Sequence, residues 1–318
     1  MMHSRLALKA AMLLVALSLV AGACGGGDDD ADAEPTQAPA ETAAAPTEPA
    51  RSAGEQVQVD ESFWHAGWKV TLGEATFSAG DEAVSIEALF ENLGGDTATF
   101  DSQLVLTTAT DNYADSTFDQ ELPQVPGGLT GDGLITFTVD DADFSFDDAT
   151  LIAGRSENQQ ATVPLGPGGD ELVSLEPREI AVAGTLTAGA VTVAVEGAEL
   201  RADLPDRYSI TEAGKLALTV RFSVTPQAGI QIGQGVFQDP NVALTLPDGT
   251  SVAVMDDGVS GVNELLQGKE GTTISDLSVR FEVDDPAEGA YVFIVRGAYG
   301  PGGAQVEAEL PFVVVAAP

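Results

Sequence analysis

Cysteine is all but missing from this chain: Cys24 is the only one in 318 residues. No disulfide can form within the chain, and no zinc site can be built on thiolates. Histidine is nearly as scarce, with only His3 and His65. Imidazole clusters are thereby excluded, and a Ser or Cys nucleophile with a histidine base would have to use one of these two rings. Basic side chains are few, 13 Lys and Arg against 50 Asp and Glu, for a formal charge of −37. Such a surface repels nucleic acid and anionic lipid, because phosphate neutralisation needs Lys and Arg. Aromatic residues make up 6% of the chain, which leaves little to line a sugar-binding cleft around paired carboxylates. A phosphate loop, a dinucleotide fingerprint and any long helical periodicity are also missing.

What is present begins with an export signal. Arg5 and Lys9 form a short basic segment, an apolar run extends from Ala10 through Val20, and Ala21-Gly22-Ala23 lead into Cys24. That run is too short for a permanent membrane span and reads as a signal peptide over 1–23. Ala21-Gly22-Ala23-Cys24 resembles the lipobox of bacterial lipoproteins, with Ala21 where Leu, Val or Ile is usual. The resemblance implies cleavage before Cys24, diacylation of its thiol, and a protein lipid-anchored to the outer face of the cell membrane. Two fatty chains at ~0.8 kcal/mol per buried CH₂ make a stable anchor. No twin-arginine pair is present, so the general secretory route is expected. Loss of the signal removes Arg5 and Lys9 and no acid, making the mature chain two units more negative.

From Cys24 to Gln56 the composition shifts to Gly, Asp, Ala, Pro, Thr and Glu, with prolines at 35, 39, 46 and 49 and no apolar periodicity. A segment of this kind cannot bury enough apolar surface to offset the entropy of ordering it. Residues 24–56 are therefore expected to be a disordered acidic linker, on the order of 100 Å at full stretch, that lifts the folded part clear of the headgroups.

Beyond the linker the chemistry is that of strands. Trp68-Lys69-Val70-Thr71-Leu72 alternates apolar and polar residues, as does Val84-Ser85-Ile86-Glu87-Ala88. In Lys215–Val224, Leu216, Leu218, Val220, Phe222 and Val224 make one face, with Ala217, Thr219, Arg221 and Ser223 opposite. Period two over such a length predicts a strand with one face on a core. Turn chemistry separates the runs, for example Asn92-Leu93-Gly94-Gly95 and Pro247-Asp248-Gly249. Only Asn263–Gln267 could form a short turn of helix.

The sequence also repeats. Ile135-Thr136-Phe137-Thr138-Val139-Asp140-Asp141 returns as Val279-Arg280-Phe281-Glu282-Val283-Asp284-Asp285. Each copy is followed by an apolar strand that ends in glycine, at Gly154 and Gly297. Upstream, Val84–Phe90 corresponds to Leu216–Val224, and Gln103–Thr107 to Val242–Leu246. The expected architecture is all-β: two tandem immunoglobulin-like β-sandwiches over 57–166 and 172–318, joined through the Gly- and Pro-rich stretch Pro164–Glu171. One large sandwich or barrel is the alternative.

The long alternating strand ending in Glu91-Asn92-Leu93-Gly94, the strand Leu104-Val105-Leu106 and the late Phe-x-Val strand resemble the telokin-like, immunoglobulin-like domains of Gram-positive, actinobacterial secreted lipoproteins. They are similar as well to the mycobacterial immunogenic secreted Ig-like proteins. The first repeat carries the resemblance better, since the second has Pro226 after its long strand. The resemblance implies extracytoplasmic Ig-like domains and brings no catalytic residues with it.

Candidate chemistry is thin. His65 sits in Phe63-Trp64-His65-Ala66-Gly67-Trp68, where a packed ring is the simpler reading than a base or a ligand. Carboxylates cluster at Asp140, Asp141 and Asp143, with Asp147 and Asp148 just beyond, and at Asp284 and Asp285 in the equivalent turn; Asp256 and Asp257 add a pair. Calcium needs several oxygens on a turn that curls around it, and these are weak calcium candidates because the spacing is not that of an EF-hand loop. Paired aspartates in turns are more often turn formers. The functional expectation is a non-enzymatic, lipid-anchored extracytoplasmic protein without a cofactor, held to the membrane through Cys24, that binds or presents to a cell-envelope partner and not to nucleic acid. The alternative is an extracytoplasmic small-ligand or calcium-binding module. For the charge, the simpler reading is a solvated acidic surface that limits edge-strand aggregation or an adaptation to salt, and the functional alternative is affinity for cations or cationic envelope components.

Overall fold

Wherever the sequence alternates apolar and polar residues, the backbone is extended and paired. The computed structural model describes residues 54–114, 121–230, 235–256 and 261–315, all within one compact unit, Arg51–Pro318. Cys24, the signal segment 1–23 and the linker up to residue 53 lie outside the described residues, as does Asp257.

The first half forms β1 (Gln56–Gln58), β2 (Ser62–His65), β3 (Trp68–Ser78), β4 (Ala83–Asn92), β5 (Ala98–Thr99), β6 (Leu104–Thr107), β7 (Asn112–Ala114), β8 (Gln124–Val125), β9 (Thr130–Thr138), β10 (Thr150–Ala153) and β11 (Ala161–Pro164). One sheet has the order β1-β3-β4-β9, with β2 also on β3; a second has the order β11-β10-β6-β7; β5 pairs with β8.

The second half forms β12 (Arg178–Ile180), β13 (Gly184–Ala188), β14 (Val191–Arg201), β15 (Asp203–Leu204), β16 (Ser209–Ile210), β17 (Lys215–Pro226), β18 (Val236–Gln238), β19 (Val242–Thr245), β20 (Ser251–Ala253), β21 (Asn263–Leu265), β22 (Ile274–Asp284), β23 (Gly289–Gly297) and β24 (Val306–Val314). Its sheets run β12-β14-β17-β22, with β13 on β14, and β20-β19-β23-β24; β18 pairs with β21. The halves thus share one topology, and all these pairings are antiparallel. Even the irregularities coincide. Trp68 faces Asn92 and the β3–β4 register slips between Leu72 and Ala75; Val191 faces Pro226 and the β14–β17 register slips between Val195 and Gly197.

Each half has its own apolar core between its two large sheets. Phe63, Val70, Phe90 and Phe137 meet Leu104, Leu106 and Leu151 in the first. Val193, Phe222 and Phe281 meet Leu244, Phe293 and Val295 in the second. Full burial of such a side chain contributes ~1.5–3 kcal/mol. Aromatic pairs knit both cores edge to face: Trp68 with Phe90 and Phe100 at centroid distances of 6.4 and 6.2 Å, and Phe222 with Phe237 at 6.0 Å.

Two details depart from the sequence-based expectation. Residues 263–265, expected as a turn of helix, are a strand, because Val236–Gln238 lies opposite and supplies the backbone pairing. On β17, Ala217 and Ser223 are buried although they belong to the polar face. The β15–β16 hairpin is an insertion with no counterpart in the short β3–β4 connection. Among the described residues no helix is long and apolar enough to cross a membrane.

Candidate functional site

Four buried polar side chains, His65, Asn92, Asp203 and Thr211, gather where the two halves meet. The β15–β16 insertion supplies one side of this junction. Asp203 is fully buried; its Oδ2 accepts from the Gly67 backbone N–H of the first half at 2.9 Å, and its Oδ1 accepts from Arg201 Nε at 2.9 Å. Gly67 makes the β2–β3 turn at φ +84, and a Cβ there would stand 3.0 Å from Pro205 Cα, so glycine is what lets the insertion close on the turn. At the tip of the insertion Tyr208 places its ring 6.3 Å from Trp68 and its hydroxyl 2.7 Å from the Asp96 carbonyl and 3.1 Å from Asn92 Oδ1.

Asn92 closes the first half's contribution. It is fully buried, donates from Nδ2 to the carbonyls of Asp96 and Val125 at 2.8 Å each, and accepts from Gly94 N–H at 2.9 Å. Backbone bonds complete the seam: Gln159 N–H to Thr211 C=O at 3.1 Å and Ala213 N–H to Glu157 C=O at 3.0 Å. Buried polar groups tolerate this environment only when paired, and a network of this kind holds one relative placement of the halves.

Two atoms stand out. Arg201 bonds Glu199 through Nη1 at 3.0 Å and Asp203 through Nε, but its buried Nη2 has no hydrogen-bond partner among the described residues. His65, 3% exposed, bonds Ser102 Oγ through Nδ1 at 2.8 Å, while its buried Nε2 also lacks a partner among the described residues. Burial pushes the imidazole pKa down to about 4, against the opposing pull of the Asp203 charge and the Gln159 backbone. The ring is therefore neutral at neutral pH. A Ser-His-Asp reading fails on geometry: the carboxylate is committed to Gly67 and Arg201, and Nε2 is closed off from solvent.

The carboxylates singled out in the sequence lie elsewhere. Asp140, Asp141 and Asp143 are exposed in the turn after β9, where Asp141 Oδ1 accepts from the Asp143 backbone N–H at 2.9 Å. Asp284 accepts from Lys215 Nζ at 2.7 Å, and Asp285 from Gln159 Nε2 at 3.0 Å. Asp148 accepts from the Ala109 backbone N–H at 3.1 Å. Among the described residues no three His, Cys, Asp or Glu side chains are grouped so as to hold a metal ion. Asp203, Arg201 and Tyr208 have no place in the sequence-based expectation, and Asn92 enters it only as a turn residue at the end of its strand. The signal available was the segment Arg201–Tyr208, which has no counterpart in the first repeat.

No protein-family model matches the chain. No curated protein matches it either. Among solved structures it is similar to a conserved domain protein from Bacillus anthracis, with 12% identity over 82% of this chain and 92% of that one and a TM-score of 0.26. At that score the likeness assigns no activity.

Proposed function

We propose that this is a non-enzymatic, lipid-anchored extracytoplasmic protein whose two immunoglobulin-like sandwiches bind or present to a component of the cell envelope. The observation that carries the reading is the junction. Its buried polar groups join the halves and leave His65 no open nitrogen, which suits a fixed binding platform and not a catalytic cleft. Support also comes from the order of the chain, in which a short export signal, Cys24 and an acidic, proline-bearing linker precede the folded part. In the native cell, Cys24→Ala should move the protein from the membrane fraction to the medium, and crosslinking on intact cells should recover one envelope component with the wild-type chain. A variant that stays with membranes refutes the anchor. Crosslinking that recovers the chain alone refutes the platform.

A further inference from the structure

The segment joining the halves borders a cleft that the junction network does not use. Its volume is about 750 Å³, within the ~300–1,000 Å³ range of small-ligand sites, and it lies between this segment and the second half. Leu172, Val173 and Pro177 of the connecting segment contribute to its lining, together with Leu200, Leu216 and Ala287 of the second half. Leu172 and Val173 remain 39% and 43% exposed.

That exposure does not come from a loose backbone. Val173 exchanges both backbone hydrogen bonds with Thr162 at 2.8 and 2.9 Å, Ser174 C=O accepts from Trp64 N–H at 2.8 Å, and Leu175 packs on the first core. The apolar lining is thus held open in advance, which lowers the ordering cost of binding. Carboxylates also line the cleft, at Glu171, Glu176, Asp285 and Glu288, against one cation, Arg178. Arg178 Nη1 donates to the Val315 carbonyl at 3.3 Å, and Glu171, Glu176 and Glu288 have no ion-pair partner among the described residues.

We infer that this cleft binds a small apolar molecule that carries a positively charged group, its body against Leu172, Val173 and Leu216 and its charge among the carboxylates. The size argues for a small molecule over a protein surface, and the charge balance rejects an anionic amphiphile. This site is independent of the envelope-partner reading, and either can fail without the other.

The test is calorimetric titration of the full chain bearing Cys24→Ala, purified from whichever cell fraction or medium holds it, with octyltrimethylammonium, octyl glucoside and tetramethylammonium, each below any micelle threshold. Octyltrimethylammonium should saturate one site, with the other two binding at least tenfold more weakly. Leu172→Ser should weaken it about fivefold, because the octyl chain then buries less apolar surface. The pair Glu176→Gln and Glu288→Gln should weaken it and flatten its salt dependence. Leu89→Ser, which alters a leucine of similar exposure outside the cleft, should leave binding unchanged. Absence of a saturable site overturns the inference, as does equal binding of octyl glucoside or equal weakening in Leu172→Ser and Leu89→Ser.

Discussion

The two repeats share strand order, sheet pairing and even the position of a bulge, yet their ends are finished differently. At the last register position of the long central pair the first repeat has Asn92, buried with both ends of its amide bonded, and the second has Pro226. At the outer end of the second sheet, Thr150 faces Pro164 in the first repeat and Val292 faces Pro311 in the second. There the first repeat is covered: the connecting chain folds back, Asp170 N–H donates to Thr150 Oγ1 at 2.8 Å, and Thr150 is 1% exposed. In the second repeat β24 runs on to Val314, with Val313 59% exposed and Val315, just beyond the strand, 71% exposed. Apolar alternation sets a topology that can be used twice, while a few polar side chains make each copy's ends individual. In the first repeat one of them, Asn92, also accepts from the Tyr208 hydroxyl of the second.

Asp203→Ala gives the largest expected effect, because it strikes the contact that couples the copies. Removing the carboxylate leaves Arg201 with a buried, under-compensated charge and Gly67 N–H without its acceptor, at a cost of ~3–5 kcal/mol. Both tryptophans, Trp64 and Trp68, lie in the first repeat, so fluorescence follows that repeat while far-UV circular dichroism follows both. In urea the two probes should give coincident transitions for the native chain and separate transitions for Asp203→Ala. Coincidence in the variant, with less than ~1 kcal/mol lost, would mean that the repeats are coupled by something other than this carboxylate.

His65 provides a pH test of the same seam. Its pKa in the folded chain, about 4, lies below the ordinary 6.5, so the unfolded chain binds the proton more readily between these values. Stability is then fully present above pH 6.5, falls as the pH drops towards 4, and changes no further from this group below that, for a total of ~3 kcal/mol at 1.36 kcal/mol per unit. The informative quantity is the difference between the native chain and His65→Asn across pH 4.5–6.5, which isolates the contribution of this ring. The variant should lose most of the slope in this window. Identical slopes would show that the ring is solvated and the junction open.

Much of the frame could be read from the chain. The alternating faces of Val84–Phe90 and Leu216–Val224 and the repeated Ile135–Asp141 and Val279–Asp285 segments predict the strands that form, because period two has one geometric solution when one face must be dry. The junction could not be read in this way. Asp203 and Tyr208 look like ordinary turn residues beside Pro205, and their importance depends on Gly67 and Asn92 more than a hundred residues away. The aspartates drew attention by clustering in sequence, yet Asp284 and Asp285 take up Lys215 and Gln159, and Asp140 and Asp141 remain in their own exposed turn. Local sequence reports local turn chemistry well, whereas a buried polar network is a property of tertiary contact.

The smallest effects belong to the unequal ends. Thr150→Ala removes the hydroxyl that accepts from Asp170 N–H beneath the folded-back chain, and should cost ~1–2 kcal/mol, with Thr150→Ser restoring most of it because the acceptor returns. Val313→Ser, on the open end of the second repeat, should change stability by no more than ~0.5 kcal/mol, since the side chain is packed against little. Thermal melts of the three variants at low protein concentration make the comparison. If Val313→Ser costs as much as Thr150→Ala, the open end is covered in solution, and the asymmetry between the repeats has to be sought in the group that covers it. If the costs separate as expected, the difference lies in the chain itself: a hydroxyl and a folded-back connection close one sheet end, and at the other Val292 has no group with which to hold such a connection.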